Sequence, residues 1–257
     1  MNNKEYKIIM LCGIDKSSNI MYNGLAPYFD IICVILENRV SRKKIFKRRI
    51  KKLGLLKVIG QLLFLLVNKV NHRINKTRIM SLVSDYGLDD KDPPDEITKT
   101  VNNINSAETI SLLKRINPHA VVVNGTRIIS KEVLSSIDAP FINTHMGITL
   151  KYRGVHGGYW ALANGDPDNC GVTIHLIDIG IDTGGVLYQN IIQVGKDDNF
   201  NTYPIHQIAK AIPLMKAALD DVKENRINVK QGALPSNLWY HPTIFEYVKI
   251  WIYKGVL

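Results

Sequence analysis

Asn143, His145 and Asp182 are the residues of this 257-residue chain whose types and spacing are best suited to chemistry. Asn143 and His145 end an apolar, strand-like run. Because a strand alternates its faces, both side chains are expected to project the same way and Thr144 the opposite way. Asp182 follows in a turn-prone Asp-Thr-Gly-Gly sequence between two further strand-like runs. The pattern predicts an amide, an imidazole and a carboxylate around one reacting carbon.

These three groups suit direct transfer of an acyl group to an amine. The amide NH2 of Asn143 can donate to the oxygen on which negative charge develops, an interaction typically worth about 3–4 kcal/mol. His145 can move protons near neutral pH, and Asp182 can orient the imidazole, favour its protonated form, or relay a proton through water. No serine or cysteine nucleophile and no metal is required. Each residue alone is ordinary, so the hypothesis depends on their spacing and flanks.

Further ordered motifs surround these residues. They are Asn117–Ser130, Asn143-Thr-His145, Tyr152-Arg-Gly154, Trp160-Ala-Leu162, Gly171-Val-Thr-Ile-His175 and Asp178-Ile-Gly-Ile-Asp-Thr-Gly184. Together they resemble the 10-formyltetrahydrofolate-dependent formyltransferases, a family that includes glycinamide ribonucleotide transformylase, methionyl-tRNA formyltransferase and the sugar N-formyltransferases. The resemblance covers residues 100–225 and, more weakly, the first 36. Met146, Thr149-Leu150 and Gly184-Gly185 replace residues at which the family often has proline.

The resemblance implies roles for the matched positions. Asn143, His145 and Asp182 would form the catalytic triad. The folate pocket would be lined by Val123, Gly125, Thr126, Arg127, Ile128, Ile129, Ile179, Gly180 and Ile181. The substrate would meet Ser18, Asn19, Asn105, Tyr152, Arg153 and Gly154. Ser18 and Asn19 fall where a related transformylase holds its substrate phosphate, at a helix N-terminus.

The order of elements predicts an α/β fold, with an open, mostly parallel, twisted sheet flanked by helices, as in a Rossmann-like formyltransferase. Strands are predicted at 6–12, 31–36, 120–123, 141–143, 172–178 and 186–194. Helices are predicted near 20–28, 107–116, 130–136, 156–164 and 205–223, with Ser17 or Ser18 capping the first and Ser106 the second. We expect a catalytic domain over 1–227, including a helical insertion at 39–84, and a C-terminal extension over 228–257.

The predicted insertion has an unusual charge. Residues 39–78 contain fourteen Lys or Arg and no Asp or Glu, whereas the rest of the chain is mildly acidic. The sequence RKKIFKRRIKK is followed by LGLLKVIGQLLFLLV, a helical pattern with breaks expected near Gly54 or Gly60. The apolar run is too short and interrupted to span a bilayer. Three hypotheses remain: a packed helix with a solvated basic face, a peripheral membrane contact through 42–67, and a site for nucleic acid or an acidic partner.

Composition favours a globular protein of a reducing compartment. Apolar residues make up 46% of the chain. The cysteines Cys12, Cys33 and Cys170 lie far apart in apolar runs, as expected of reduced core residues and not of a disulfide or zinc site. The N-terminus leads into a strand without the pattern of a signal peptide. We therefore expect a cytoplasmic protein, with the inner membrane face as a further hypothesis. The aromatic C-terminal end would pack on the core, form a homodimer contact or meet a membrane interface.

The hypothesis that unites these features is an N-formyltransferase. It would use 10-formyltetrahydrofolate, without metal or nucleic acid, to formylate a nucleotide-linked amino sugar for a surface polysaccharide such as lipopolysaccharide. Three alternatives stay open at this point. The acceptor could be another small amine of the glycinamide ribonucleotide or hydroxyornithine type; the reaction could be hydrolysis of the formyl donor; or the chain could be a binding protein that acts through residues 39–78.

Overall fold

A seven-stranded sheet with helices on both faces forms the body of the protein. The computed structural model describes residues 6–39, 41–230 and 235–257. The strand order is β3-β2-β1-β4-β5-β7-β8. The first five strands in this order are parallel, and β7 is antiparallel to both of its neighbours, β5 and β8. A separate two-stranded parallel sheet pairs β6 with β9. The predicted α/β class with an open, mostly parallel sheet is confirmed.

The elements alternate along most of the chain. The strands are β1 (Lys7–Gly13), β2 (Asp30–Glu37), β3 (Thr98–Val101), β4 (Ala120–Asn124), β5 (Phe141–His145), β6 (Tyr152–Gly154), β7 (Gly171–Leu176), β8 (Val186–Ile191) and β9 (Asn237–Trp239). The helices are α1 (Lys16–Leu25), α2 (Arg42–Leu53), α3 (Leu55–Ile74), α4 (Lys76–Asp85), α5 (Ala107–Ile116), α6 (Lys131–Leu134), α7 (Gly157–Ala163), α8 (Tyr203–Lys223) and α9 (Ile244–Lys254).

The sheet is buried on both faces. In β1, Ile8 and Met10 belong to the core beneath α1 and α8, whereas Ile9 and Leu11 belong to the opposite core beneath α5. This explains the unbroken apolar runs, because a strand covered on both sides has no solvent face. A third, aromatic cluster is centred on Phe64, Tyr159, Phe200, Tyr203 and Tyr247, under α3, α7 and α9. Cys12, Cys33 and Cys170 are free and buried, as expected.

The start of α1 differs from its prediction. The helix begins at Lys16, and its cap is Asp15 instead of Ser17 or Ser18. The Asp15 carboxylate accepts from the Ser18 backbone N–H at 3.0 Å. Aspartate caps helices as well as serine does, so the cap falls on the first competent residue. Ser106 caps α5 as predicted. The edge strand β3 and the helix α9 were not predicted as elements.

The predicted insertion consists of three helices, α2, α3 and α4. The helical segment is interrupted at Gly54, whose φ of +83° suits glycine, whereas α3 continues unbroken through Gly60. Gly60 instead allows close packing, because a Cβ there would lie 2.9 Å from Cβ of Thr243 at the start of α9. Among the described residues, no helix is both long and apolar enough to cross a membrane.

Gly13 should be required where the ends of β1 and β4 meet. A Cβ at this position would lie 2.4 Å from the carbonyl oxygen of Gly125. We expect Gly13→Ala to lower the free energy of unfolding by about 1–3 kcal/mol, measured by urea denaturation, because one of the two loops must move. Gly195→Ala is the matched control, since the nearest atom to its Cβ is Asp198 Oδ2 at 3.6 Å. Equal stability of the two variants would contradict this account.

Candidate active site

A row of residues that crosses the sheet positions the first group of the site. Val123 of β4 is opposite Asn143 of β5, and Asn143 is opposite His175 of β7. Directly opposed side chains lie on the same face of a sheet. The Nδ1–H of His175 donates to the Leu176 carbonyl at 2.7 Å, so its Nε2 is left as an acceptor. The Asn143 amide donates to that Nε2 at 3.0 Å, which fixes the amide as a donor group.

His145 and Asp182 form the second group. The Nε2–H of His145 donates to the Tyr152 carbonyl at 2.7 Å, and Nδ1 lies 3.4 Å from Asp182 Oδ2. The Gly154 backbone N–H donates to the same oxygen at 2.9 Å, and the other carboxylate oxygen lies 3.7 Å from His175 Nε2. A doubly protonated His145 donates to both the carbonyl and the carboxylate.

Asp182 has an uncommon backbone conformation. Its φ is +51°, in the left-handed region that few residues other than Gly, Asn and Asp adopt. Its loop joins β7 to β8 and is anchored by the Arg153 guanidinium, which donates to the Ile181 carbonyl at 3.1 Å. The loop therefore aims the carboxylate back toward β5.

A cavity of about 260 Å³ opens beside these groups. Its walls include two of the predicted triad residues, and they also include most of the predicted folate pocket. The lining residues are Val123, Thr126, Arg127, Ile128, Ile129, Asn143, Gly154, Val155, His175, Ile177, Asp178, Gly180, Ile181 and Asp182. Gly125 and Ile179 do not line it, and Ile179 is exposed. His145 is 5% exposed and lies behind Asp182, which is 15% exposed.

The predicted substrate residues are dispersed, and several support the framework. Ser18 is buried beside Asn124, and Asn19 donates to Asp92 at 2.8 Å. Asn105 braces the cavity loop, since it donates to the Ile128 carbonyl and accepts from the Ser130 N–H. Tyr152, Arg153 and Gly154 hold His145 and the Asp182 loop through the bonds described above. Of the six, only Gly154 lines the cavity.

Glu37 is a buried group that the sequence analysis did not single out. It ends β2, and its carboxylate accepts from the backbone N–H groups of Ile104 at 2.7 Å and Arg127 at 3.2 Å. It also pairs with the Arg127 guanidinium at 2.5 Å. Glu37 therefore holds in place the part of the cavity wall that contains Arg127. An acidic residue ending an otherwise apolar strand was the available signal.

His175 is a second residue that the sequence analysis did not single out for the site, although the motif that contains it was noted. Burial lowers its pKa, and the neighbouring His145 lowers it further, while the Leu176 carbonyl and Asp182 oppose the shift. A neutral His175 is the form that can accept from Asn143. Across the described residues, no group of His, Cys, Asp and Glu has the arrangement of a metal site.

Comparison with known proteins identifies the family. A family model described as "Formyl transferase" matches residues 80–211, about half of the chain. The chain belongs to the formyl transferase family. The match includes β4, β5 and β7 and the loop that carries Asp182, which together form the candidate site.

The curated relatives that match this chain include several methionyl-tRNA formyltransferases. The methionyl-tRNA formyltransferase of Caldanaerobacter subterraneus subsp. tengcongensis is 31% identical over 124 residues, covering 48% of this chain and 40% of that protein. The chain thus spans about two-fifths of the length of the curated relatives it matches.

Two solved structures share the fold at low identity. The phosphoribosylglycinamide formyltransferase of Anaplasma phagocytophilum has a TM-score of 0.57 at 17% identity, covering 91% of this chain and 98% of that one. The N-formyltransferase of Helicobacter canadensis, solved with folinic acid and dTDP-3-aminofucose, has a TM-score of 0.54 at 16% identity, covering 90% and 70%.

Two further histidines, both partly buried, lie next to the cavity. His156 follows Val155 of the cavity wall, and its Nε2 lies 2.8 Å from His241 Nδ1. Burial lowers the pKa of His156 to about 3 and that of His241 to about 4, and the nearby Arg49 charge adds to both shifts. Both rings are therefore neutral in the folded protein.

Stability should therefore fall on acidification. The unfolded chain binds protons at these histidines below about pH 6.5, whereas the folded chain does not, so their stabilising contribution is present above that pH and is lost below it. We expect each to remove about 2 kcal/mol of unfolding free energy between pH 7.5 and pH 5, measured by urea denaturation. The His241→Gln variant should lose less unfolding free energy on acidification than the wild type does. A control variant, His72→Gln at an exposed position, should lose as much as the wild type. A His241→Gln variant with the wild-type pH dependence would refute this assignment.

Proposed function

We propose that this protein is an N-formyltransferase that transfers a formyl group from 10-formyltetrahydrofolate to the primary amine of a nucleotide-linked amino sugar. The observation that carries the proposal is the convergence of Asn143, His145 and Asp182 at one side of a cavity. Two chain segments, the end of β5 and the β7–β8 loop, bring an amide donor, an imidazole and a carboxylate to one place. Family membership supports the same reaction class.

Asn143 would stabilise the oxyanion. One of its two amide N–H bonds is directed at His175 Nε2, and the second is left for an oxygen in the cavity that Asn143 lines. A donor held in place before reaction does not need to reorganise when charge develops, and removing one such donor typically costs about 3–4 kcal/mol. His175 is a positioning residue in this scheme.

Asp182 and His145 would transfer the proton. Asp182 lines the cavity and His145 lies behind it, so the carboxylate is the group that meets the attacking amine. A proton that leaves the amine nitrogen passes to Asp182 and is shared with His145 Nδ1. The same proton then returns to the nitrogen that leaves the formyl carbon. The Tyr152 carbonyl stabilises the imidazolium throughout, because it accepts from Nε2.

The cavity fits the head of a folate. Its lining includes the apolar residues Val123, Ile129, Ile177 and Ile181, and the loops at 126–129 and 178–182 contribute most of its other residues. Sites for whole drug-sized ligands usually measure about 300–1,000 Å³, so 260 Å³ suits a fused-ring head with the remainder of the cofactor extending outward. The residues of this cavity would hold the cofactor, and a bound 10-formyltetrahydrofolate would supply the activated formyl group.

The sugar acceptor is supported by the structural relatives. The Helicobacter canadensis N-formyltransferase, solved in complex with dTDP-3-aminofucose, shares the fold over 90% of this chain. The deciding experiment is an assay with 10-formyltetrahydrofolate and a panel of nucleotide-linked amino sugars, following tetrahydrofolate release and product mass. One added formyl group on one sugar supports the proposal. Turnover only with glycinamide ribonucleotide or charged initiator tRNA would overturn the sugar assignment, and formate release without an acceptor would indicate hydrolysis.

Substitutions in the triad should abolish turnover without unfolding the protein. We expect Asn143→Ala to lower kcat about 10²–10³-fold and His145→Ala about 10²–10⁴-fold, from loss of the oxyanion donor and of the proton carrier. Asp182→Asn tests the carboxylate alone, because Asn also tolerates the left-handed backbone. Exposed His72→Ala serves as the control, and circular dichroism verifies folding. Near-normal turnover of the His145→Ala enzyme would exclude this mechanism.

A pair of substitutions isolates the role of His175. His175→Gln can place an acceptor near the position of Nε2, whereas His175→Phe keeps a ring without one. We expect kcat to fall about 10–100-fold in the Phe variant, because a misplaced Asn143 amide costs that much, with a smaller loss in the Gln variant. Equal kcat values in the two variants would show that His175 acts through packing only.

A further inference from the structure

Helix α3 presents its apolar side to solvent. Ten of its 20 residues are exposed Leu, Ile or Val side chains, and they include Leu56 at 86% and Leu66 at 63% exposure. The set is Leu55, Leu56, Ile59, Leu62, Leu63, Leu65, Leu66, Val67, Val70 and Ile74. With a rise of 1.5 Å per residue the helix is about 30 Å long. Soluble proteins rarely expose apolar patches of this extent without a partner.

Polar bonds on the inner side fix this orientation. The Gln61 side chain donates to the His241 carbonyl at 2.7 Å. Asn68 accepts from Asn201 at 3.0 Å, and Asn75, which caps the end of the helix, accepts from Asn199 at 2.9 Å. Rotating α3 to bury its leucines would break these bonds and withdraw Phe64 from the aromatic cluster. The apolar face therefore points outward because the inner face is already bonded to the body.

The neighbouring helix supplies a dense positive charge. Eight of the twelve residues of α2 are Lys or Arg, and α2 precedes α3 with only Gly54 between them. Lys43, Lys47, Arg48 and Lys51 are exposed. Residues 39–78 contain no acidic side chain that could neutralise them. A long aliphatic face next to a cationic helix is the pattern of a helix that lies in a membrane interface.

We propose that α2 and α3 form a peripheral binding surface for an anionic lipid bilayer. The aliphatic face of α3 would enter the boundary between headgroups and acyl chains, and the cations of α2 would meet the lipid phosphates. Charge complementarity selects this occupant. A second copy of the chain would bring two eight-cation helices together, and a nucleic acid would leave ten aliphatic side chains in water. This surface is independent of the formyl-transfer chemistry.

The test is flotation of the full chain with vesicles of equimolar phosphatidylglycerol and phosphatidylcholine, compared with phosphatidylcholine alone. We expect binding to the anionic vesicles that weakens as salt rises. Lys43→Gln/Lys47→Gln/Lys51→Gln should lower the partition coefficient about 100-fold, since each cation near an anionic surface contributes about fivefold. Leu56→Gln/Leu66→Gln should lower it roughly tenfold or more, because the lost side chains would otherwise be buried in lipid.

Controls separate lipid binding from general effects. Ile191→Gln replaces an exposed aliphatic residue on β8 and should leave binding unchanged, as should Lys114→Gln/Arg115→Gln on α5. Thermal unfolding verifies that the α2 and α3 variants remain folded. The proposal is overturned if the chain does not bind the anionic vesicles, or if the α3 variant binds as the wild type does. It is also overturned if sedimentation velocity shows a dimer that Leu56→Gln/Leu66→Gln dissociates, or if RNA displaces the vesicles while the leucine substitutions have no effect.

Discussion

The carboxylate of Asp182 is the point on which the geometry of the site depends. It accepts a backbone N–H from Gly154 and lies within 4 Å of both His145 and His175. Gly154 ends β6, whose Tyr152 carbonyl accepts from His145. One carboxylate thus joins the β7–β8 loop to β6 and to the end of β5. The same contacts hold the loop in place and set the carboxylate next to the imidazole of His145.

The sheet, and the shared face of Asn143 and His145 on one strand, were accessible from the sequence, because both depend on local patterns. Apolar runs gave the strands, and the spacing of Asn143 and His145 placed their side chains on one face. The supporting residues were not accessible. His175 acts because β7 runs antiparallel to β5 in a register that opposes it to Asn143, and Glu37 acts because β2 ends near the Arg127 loop. Such pairings join residues 32 and 90 positions apart, and no local pattern encodes them.

The helices between β2 and β3 show a different limit of sequence reasoning. The apolar run of α3 was evident, and the usual expectation is that such a run packs inward. Its true orientation is decided by partners more than a hundred residues away, namely Asn199, Asn201 and the His241 carbonyl. Three hydrogen bonds donated by side-chain amides and one buried aromatic ring outweigh the preference of the leucines for the interior. The structure therefore gives the segment two faces with separate tasks, attachment to the body on one side and an apolar surface on the other.

The left-handed backbone of Asp182 has an evolutionary consequence. Its φ of +51° is easily accommodated by Gly, Asn or Asp, so few other residues can replace Asp182 without straining the backbone. Glycine would relax the turn but remove the side chain, asparagine would keep the turn but remove the charge, and glutamate would keep the charge but strain the turn. Each of these three substitutions therefore loses either the unstrained turn or the carboxylate. Selection for the turn conformation and selection for the carboxylate therefore act on the same residue. Position 182 should be among the slowest to change in any lineage that needs both.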